Sequence, residues 1–157
     1  MIVHVYTDGS YNKDTHTYGS GIVFAPGTDL EEEIKFSGDR EELAKSWQIT
    51  GEVLAVIFAL QKVLDRNKIA KMKGLETQVI DTVVIHYDLE GIAKWPLGQQ
   101  RAECLVARKY LKFMTEAMSK LTVKFIHVKA HSGNEFNDRA DDLAREGCGL
   151  HDRYKKD

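Results

Sequence analysis

Four acidic residues stand where carboxylates can do chemistry: Asp8, Glu52, Asp88 and Asp141. Asp8 closes a β-branched, aromatic run and precedes Gly9-Ser10. Glu52 opens a long apolar stretch, Asp88 follows a short continuous apolar run, and Asp141 lies in an alternating acidic and apolar segment near the C-terminal end. Each alone has an ordinary explanation. Asp8 before Gly9 reads as a turn former. Glu52 reads as a first-turn acid favoured by the helix dipole, Asp88 as a turn residue and Asp141 as a solvated helix residue. Together they read differently, because like charges brought close destabilise a fold unless a cation neutralises them. Asp138, Asp141 and Asp142 add repulsion on one helix at spacings of three and four. An all-oxygen ligand set suits Mg2+, with Mn2+ as a substitute, better than zinc. Two such ions can serve both the attacking and the leaving oxygen of a phosphodiester. His131, in the small loop before the last helix, could move a proton near such a cluster. The other histidines, His4, His16, His86, His127 and His151, have no comparable setting in the sequence.

The elements that must position these groups read as an α/β layer architecture. Strands are expected over residues 2–7, 18–25 and 32–37, joined by short links that favour an antiparallel meander. A buried helix follows over residues 53–64 with Thr50 as its N-cap. A central strand at 83–87, a short helical piece at 89–94, an amphipathic helix within 101–120, a strand at 121–128 and a last helix at 137–146 complete the order β-β-β-α-β-α-α-β-α. If the first and fourth strands are adjacent and parallel, Asp8 and Asp88 share the carboxyl edge, where open sheets bind ligands.

The 157 residues suit one domain, expected over residues 1–149, with a polar and frayed tail at 150–157. No apolar run approaches the roughly 18 to 20 residues that span a bilayer. The start reads directly into a strand, so a cytoplasmic monomer is expected. Cys104 and Cys148 have neither CxxC nor metal-ligand spacing and read as reduced structural thiols. The net charge of −2 excludes a globally basic nucleic-acid binder, so any such contact must come from a local site.

At these residues the chain resembles type 1 ribonucleases H. The matching pieces are Tyr6-Thr7-Asp8-Gly9-Ser10, Gly51-Glu52-Val53-Leu54-Ala55 and His86-Tyr87-Asp88. The longest is Val128-Lys129-Ala130-His131-Ser132-Gly133, followed by Asn137-Asp138-Arg139-Ala140-Asp141-Asp142-Leu143-Ala144. The resemblance covers roughly residues 2–147. It implies a ribonuclease H-like fold, a five-stranded mixed sheet ordered 3-2-1-4-5 and flanked by helices. It implies that Asp8, Glu52, Asp88 and Asp141 bind two Mg2+ ions, that His131 is a mobile catalytic histidine, and that Gly9, Ser10, Gln48 and the helix-start Asn137 contact substrate. The implied activity is two-metal hydrolysis of the RNA strand of an RNA–DNA hybrid, leaving 5′-phosphate and 3′-hydroxyl ends. The 2′-hydroxyls would be read in the minor groove. A catalytically inactive nucleic-acid-binding domain and another nuclease or recombinase of the same fold are the alternatives.

Three features depart from the family pattern. Gln48 stands where an asparagine is common, and Leu89-Glu90 follow the third carboxylate where many members have serine. His131 lies 43 positions after Asp88, too short a span for the basic protrusion of some members. Residues 88–95 instead look like bacterial members related to viroplasmin-linked ribonucleases H, without their small N-terminal hybrid-binding domain. Arg101, Arg108, Lys109 and Lys112, or Arg66, Lys68, Lys71 and Lys73, are candidate substitutes for the protrusion. Trp47 and Trp95 are candidates for sugar contact or for packing.

Overall fold

A computed structural model describes residues 1–30, 32–41, 46, 48–129 and 133–154. Five strands form one sheet: β1 (Ile2–Asn12), β2 (Thr17–Phe24), β3 (Glu33–Gly38), β4 (Thr82–Tyr87) and β5 (Thr122–His127). Their spatial order is β3-β2-β1-β4-β5. The first three pair antiparallel, and β4 runs parallel to both β1 and β5. The helices are α1 (Gln48–Met72), the single turn α2 (Gly91–Lys94), α3 (Leu105–Ala117) and α4 (Glu135–Gly147), with a 3-10 turn at Glu76–Gln78. Order, topology and strand directions are those expected from the sequence.

The sheet separates two apolar layers. On one face Val3, Val5, Ile22, Phe24, Val83 and Ile85 pack with Val53, Val56, Leu60 and Val63 of α1 and Tyr110 and Met114 of α3. On the other, Tyr6 and Val23 pack with Ala140 and Leu143 of α4. Strand alternation explains the division, since Val3 and Val5 point to one side and Tyr6 to the other. The continuous apolar run of β4 is buried on both faces, as its sequence suggested.

Several boundaries move, and each shift has a local cause. Asp8-Gly9-Ser10 is not a turn. β1 continues through it to Asn12, pairing Asp8 with Gly21 and Gly9 with Ser20. The turn comes later, where Asn12 Oδ1 accepts from Asp14 N–H (3.1 Å) and His16 takes a positive φ of 55°. α1 starts at Gln48, so Thr50 is a buried helical residue rather than the N-cap, and Glu52 lies beyond the first turn. The same helix runs eight residues past its expected end. Its polar later turns are tied down: Asn67 donates to Ile80 O (2.7 Å) and accepts from Ile80 N–H (2.8 Å), and Arg66 pairs with Asp29. α3 begins after Cys104, whose thiol accepts from Ala107 N–H (3.4 Å). α4 begins at Glu135 because Asn134, not Asn137, caps it, accepting from Asn137 N–H (3.0 Å).

The contact that sets the site is backbone against backbone. A Cβ on Gly51 would collide with the Gly19 carbonyl oxygen and would sit 3.1 Å from Gly9 Cα. Ser20 Oγ donates to Gly51 O (2.7 Å) at the same crossing. Glycines on both elements therefore let α1 settle onto β1 and β2 where Glu52 leaves the helix. Gly51→Ala should lower stability by about 1–3 kcal/mol through overpacking and displace Glu52; a lowered denaturant midpoint checks the first effect, and loss of divalent-cation binding checks the second.

Candidate active site

β1 and β4 run side by side up to the pair Tyr6↔His86. Two residues further along the chain come Asp8, still within β1, and Asp88, just past the end of β4, so the parallel pairing delivers both to the carboxyl edge. Glu52 arrives from α1 across the glycine crossing. Ligand oxygens of Asp8, Glu52 and Asp88 all lie within 4.8 Å of one another. Asp8 and Glu52 are each only 5% exposed, which decides their electrostatics. Asp141 on α4 stands outside this tight group but lines the same pocket of about 470 Å³, together with Gly9, Ser10 and Asn137.

Few donors answer these acids. Gly9 N–H donates to Asp8 Oδ1 (2.8 Å). Glu52 Oε2 and Asp141 Oδ2 are buried without a hydrogen-bond partner among the described residues. Burial pushes the Asp8 carboxyl up to about 7, and the charges of Asp88 and Asp141 push the same way, against hydrogen bonds from Glu52 and Gly9. Burial also holds Glu52 well above the ordinary carboxylic range, followed by the Asp8 charge. An all-oxygen, inward-aimed, under-satisfied donor set is what a hard divalent cation fits.

The ordinary readings of the first two acids fail. Asp8 sits in a strand rather than a turn, and Glu52 lies too deep in α1 to answer the helix dipole. Asp142, the neighbour of Asp141, is 1% exposed and accepts from Arg153 N–H (2.7 Å) and Tyr154 N–H (3.2 Å), so it is occupied structurally.

Gly9 and Ser10 line the pocket along a part of β1 with no strand partner on the β4 side, because that pairing ends at Tyr6. Asn137 is 4% exposed, and its Oδ1 has no partner among the described residues. His131 lies outside the described residues, as do Trp47 and the Gln48 side chain. Trp95 is buried edge-on to Tyr110, which favours packing over sugar contact. Arg101, Arg108 and Lys112 line one recess with Trp95, whereas Arg66 is engaged with Asp29 and the Gln78 carbonyl.

Two pocket features have no signal of their own in the sequence. His127 pairs with Tyr87 in the ladder, and its Nε2–H donates to the Asp88 carbonyl oxygen (2.9 Å). Only the strand order makes that proximity visible. Arg153 and Tyr154 also line the pocket, so the described part of the tail is not frayed.

The RNase H family model matches residues 1–149. The chain is 32% identical over 152 residues to the Ribonuclease H of Rhizobium meliloti (strain 1021), covering 92% of this chain and 89% of that protein. Among solved structures it is similar to RNase H1 from the halophilic archaeon Halobacterium salinarum NRC-1, with a TM-score of 0.64, 21% identity and coverage of 95% and 98%. It is also similar to LC11-RNase H1, solved in complex with an RNA/DNA hybrid, with a TM-score of 0.68, 20% identity and coverage of 94% and 96%.

The raised acids have a consequence for stability. A carboxyl whose folded pKa lies above its unfolded value stabilises the fold at low pH, and that contribution is lost as pH rises towards the folded value. For Asp8 the window runs from about 3.8 to about 7. In a chelator at pH 8, Asp8→Asn should therefore be more stable than the parent, by about 2–4 kcal/mol. Thermal unfolding of both proteins at pH 5 and pH 8 checks this, with the gap narrowing at pH 5.

Proposed function

The chain belongs to the RNase H family, and on that premise we propose that it is an endonuclease hydrolysing the RNA strand of RNA–DNA hybrids. The observation that carries this reading is the convergence of Asp8, Glu52 and Asp88 at the end of β1 and β4, nearly out of water and short of donors. A catalytically inactive module would gain nothing from that arrangement, which costs folding stability. The hybrid in the LC11-RNase H1 complex supports the choice of substrate.

Asp8, Glu52, Asp88 and Asp141 would hold two Mg2+ ions, with Mn2+ able to substitute. Such ions, when bound, supply a nucleophile at neutral pH and charge stabilisation at both ends of an in-line phosphodiester displacement. The chain's own groups do the rest. Asp8 and Glu52 give up their protons so that the set is fully anionic. The free edge of β1 at Gly9 and Ser10, with Asn137 Oδ1 as an acceptor, faces the RNA strand, whose 2′-hydroxyls distinguish it from DNA. Gln48 joins this substrate contact on the strength of the sequence motif. His127 fixes the backbone at Asp88. His131, on the same motif basis, takes a proton during product release. Arg101, Arg108 and Lys112 hold phosphates of the DNA strand, which positions the duplex without reading sequence. Products carry 5′-phosphate and 3′-hydroxyl ends. A cytoplasmic location would suit a nucleic-acid substrate and a pair of free cysteines.

The test is cleavage of matched RNA–DNA, RNA–RNA and DNA–DNA duplexes with and without Mg2+. The expected result is Mg2+-dependent cutting of the hybrid's RNA strand alone. Equal cutting of all three would assign a general nuclease, and binding without cutting an inactive module. Asp8→Asn should reduce hybrid cutting at least ~10³-fold with its fold intact by circular dichroism. His131→Ala should slow turnover under saturating Mg2+ without abolishing it.

A further inference from the structure

The chain does not leave the domain after α4. Leu150 N–H donates to Arg145 O (2.8 Å), and Arg145 Nε donates to His151 O (2.6 Å). Asp142 Oδ1 then accepts two backbone N–H groups, from Arg153 and Tyr154. Because Asp142 is almost fully buried, those charge-assisted bonds form away from water, where they are strong. Residues 150–154 are therefore a strap along α4, and the last of these described residues reach the catalytic pocket. Arg153 and Tyr154 line that pocket with the carboxylates, and Arg153 Nε stands 3.6 Å from Asp141 Oδ2. That separation is an ion pair but too long for a good hydrogen bond. The Arg153 side chain remains 46% exposed. The strap lies beyond the residues 1–149 that the family model matches.

We propose that Arg153 is a phosphate-binding residue for the nucleic-acid strand that enters the acidic pocket. The proposal rests on the hybrid-cutting reading and adds a contact that the family match does not assign. A polyanion approaching Asp8, Glu52, Asp88 and Asp141 meets repulsion, and the permanently charged groups of opposite sign lining the described pocket are Lys129 and Arg153. A guanidinium suits the task because it is always charged and its planar fork matches two phosphate oxygens. Its pairing with Asp141 keeps it beside the carboxylates. The tether uses the backbone N–H of residue 153, not the side chain. Replacing the side chain therefore leaves the strap attached.

Arg153→Gln and Arg153→Lys should be compared with the parent chain in Mg2+. For Arg153→Gln the KM for a hybrid should rise about three- to tenfold with kcat nearly unchanged, and Arg153→Lys should recover much of the loss. In an Asp8→Asn background, which does not cut, anisotropy of a labelled hybrid across roughly 50 to 200 mM salt should give a log Kd against log salt slope smaller by about 1 for Arg153→Gln. An unchanged KM and slope beside a parent chain that cuts the hybrid overturns the phosphate contact alone. A fall in kcat without a rise in KM, or a drop in the thermal midpoint of several degrees, assigns Arg153 to structure instead. Tighter hybrid binding by Arg153→Gln makes the strap an obstruction and also overturns the proposal. If the parent chain neither cuts nor binds the hybrid, the hybrid-cutting reading itself falls and takes this contact with it.

Discussion

Asp8 and Glu52 are held together away from water, hydrogen-bonded to each other yet repelling once both ionise, and much of this architecture exists to hold them so. Their environment raises both carboxyls, Asp8 to about 7. A fold tolerates such a pair only where the surrounding packing over-determines it. Here the enforcing contacts are the parallel pairing of β1 with β4 and the glycine crossing of α1 over β1 and β2. Neither contact involves the acids themselves. The site is therefore preorganised by backbone, and its unmet demand for positive charge is directed at whatever cation enters.

The second layer serves the same end from the other face of the sheet. α4 packs Ala140 and Leu143 against Tyr6 and Val23, which brings Asp141 to the pocket rim. Three acids within two turns of that helix take different roles. Asp141 faces the pocket and Asp142 is buried as an anchor for the tail. Asp138 lines a neighbouring cavity with Arg139 and Phe136. Helical rotation of about 100° per residue turns Asp142 away from Asp141. Identity of residue type thus says little here, and angular position says a great deal.

Much of this was legible in the sequence because period and burial follow directly from residue type. The alternation of β1, the uninterrupted apolar run of β4 and the all-round apolarity of α1 each fixed an element and its layer. Asp8 and Asp88 could be assigned to one edge once the strands were ordered, whereas Glu52 and Asp141 joined them only through the family resemblance. The errors were equally physical. Asp8-Gly9 has the chemistry of a turn, but a long antiparallel partner of small residues draws it into a strand. Thr50 has the chemistry of a cap, but α1 begins two residues earlier. The helix was expected to end at residue 64, where its apolar run stops, yet α1 continues to Met72 and Asn67 clamps the approach to β4. His127 and Arg153 depend on long-range register and on a buried side chain eleven residues away, and local pattern carries neither.

The central claim is that the raised acids are a cation site rather than a burden carried for another reason. Calorimetric titration of the chain with Mg2+ at pH 6.5, in buffers of different ionisation enthalpy, tests it most directly. Binding should expel more than one proton per chain, since Asp8, raised to about 7, and Glu52, raised well above the ordinary carboxylic range, must both ionise to become ligands. Absence of binding at millimolar Mg2+, or binding with no proton released, would contradict it.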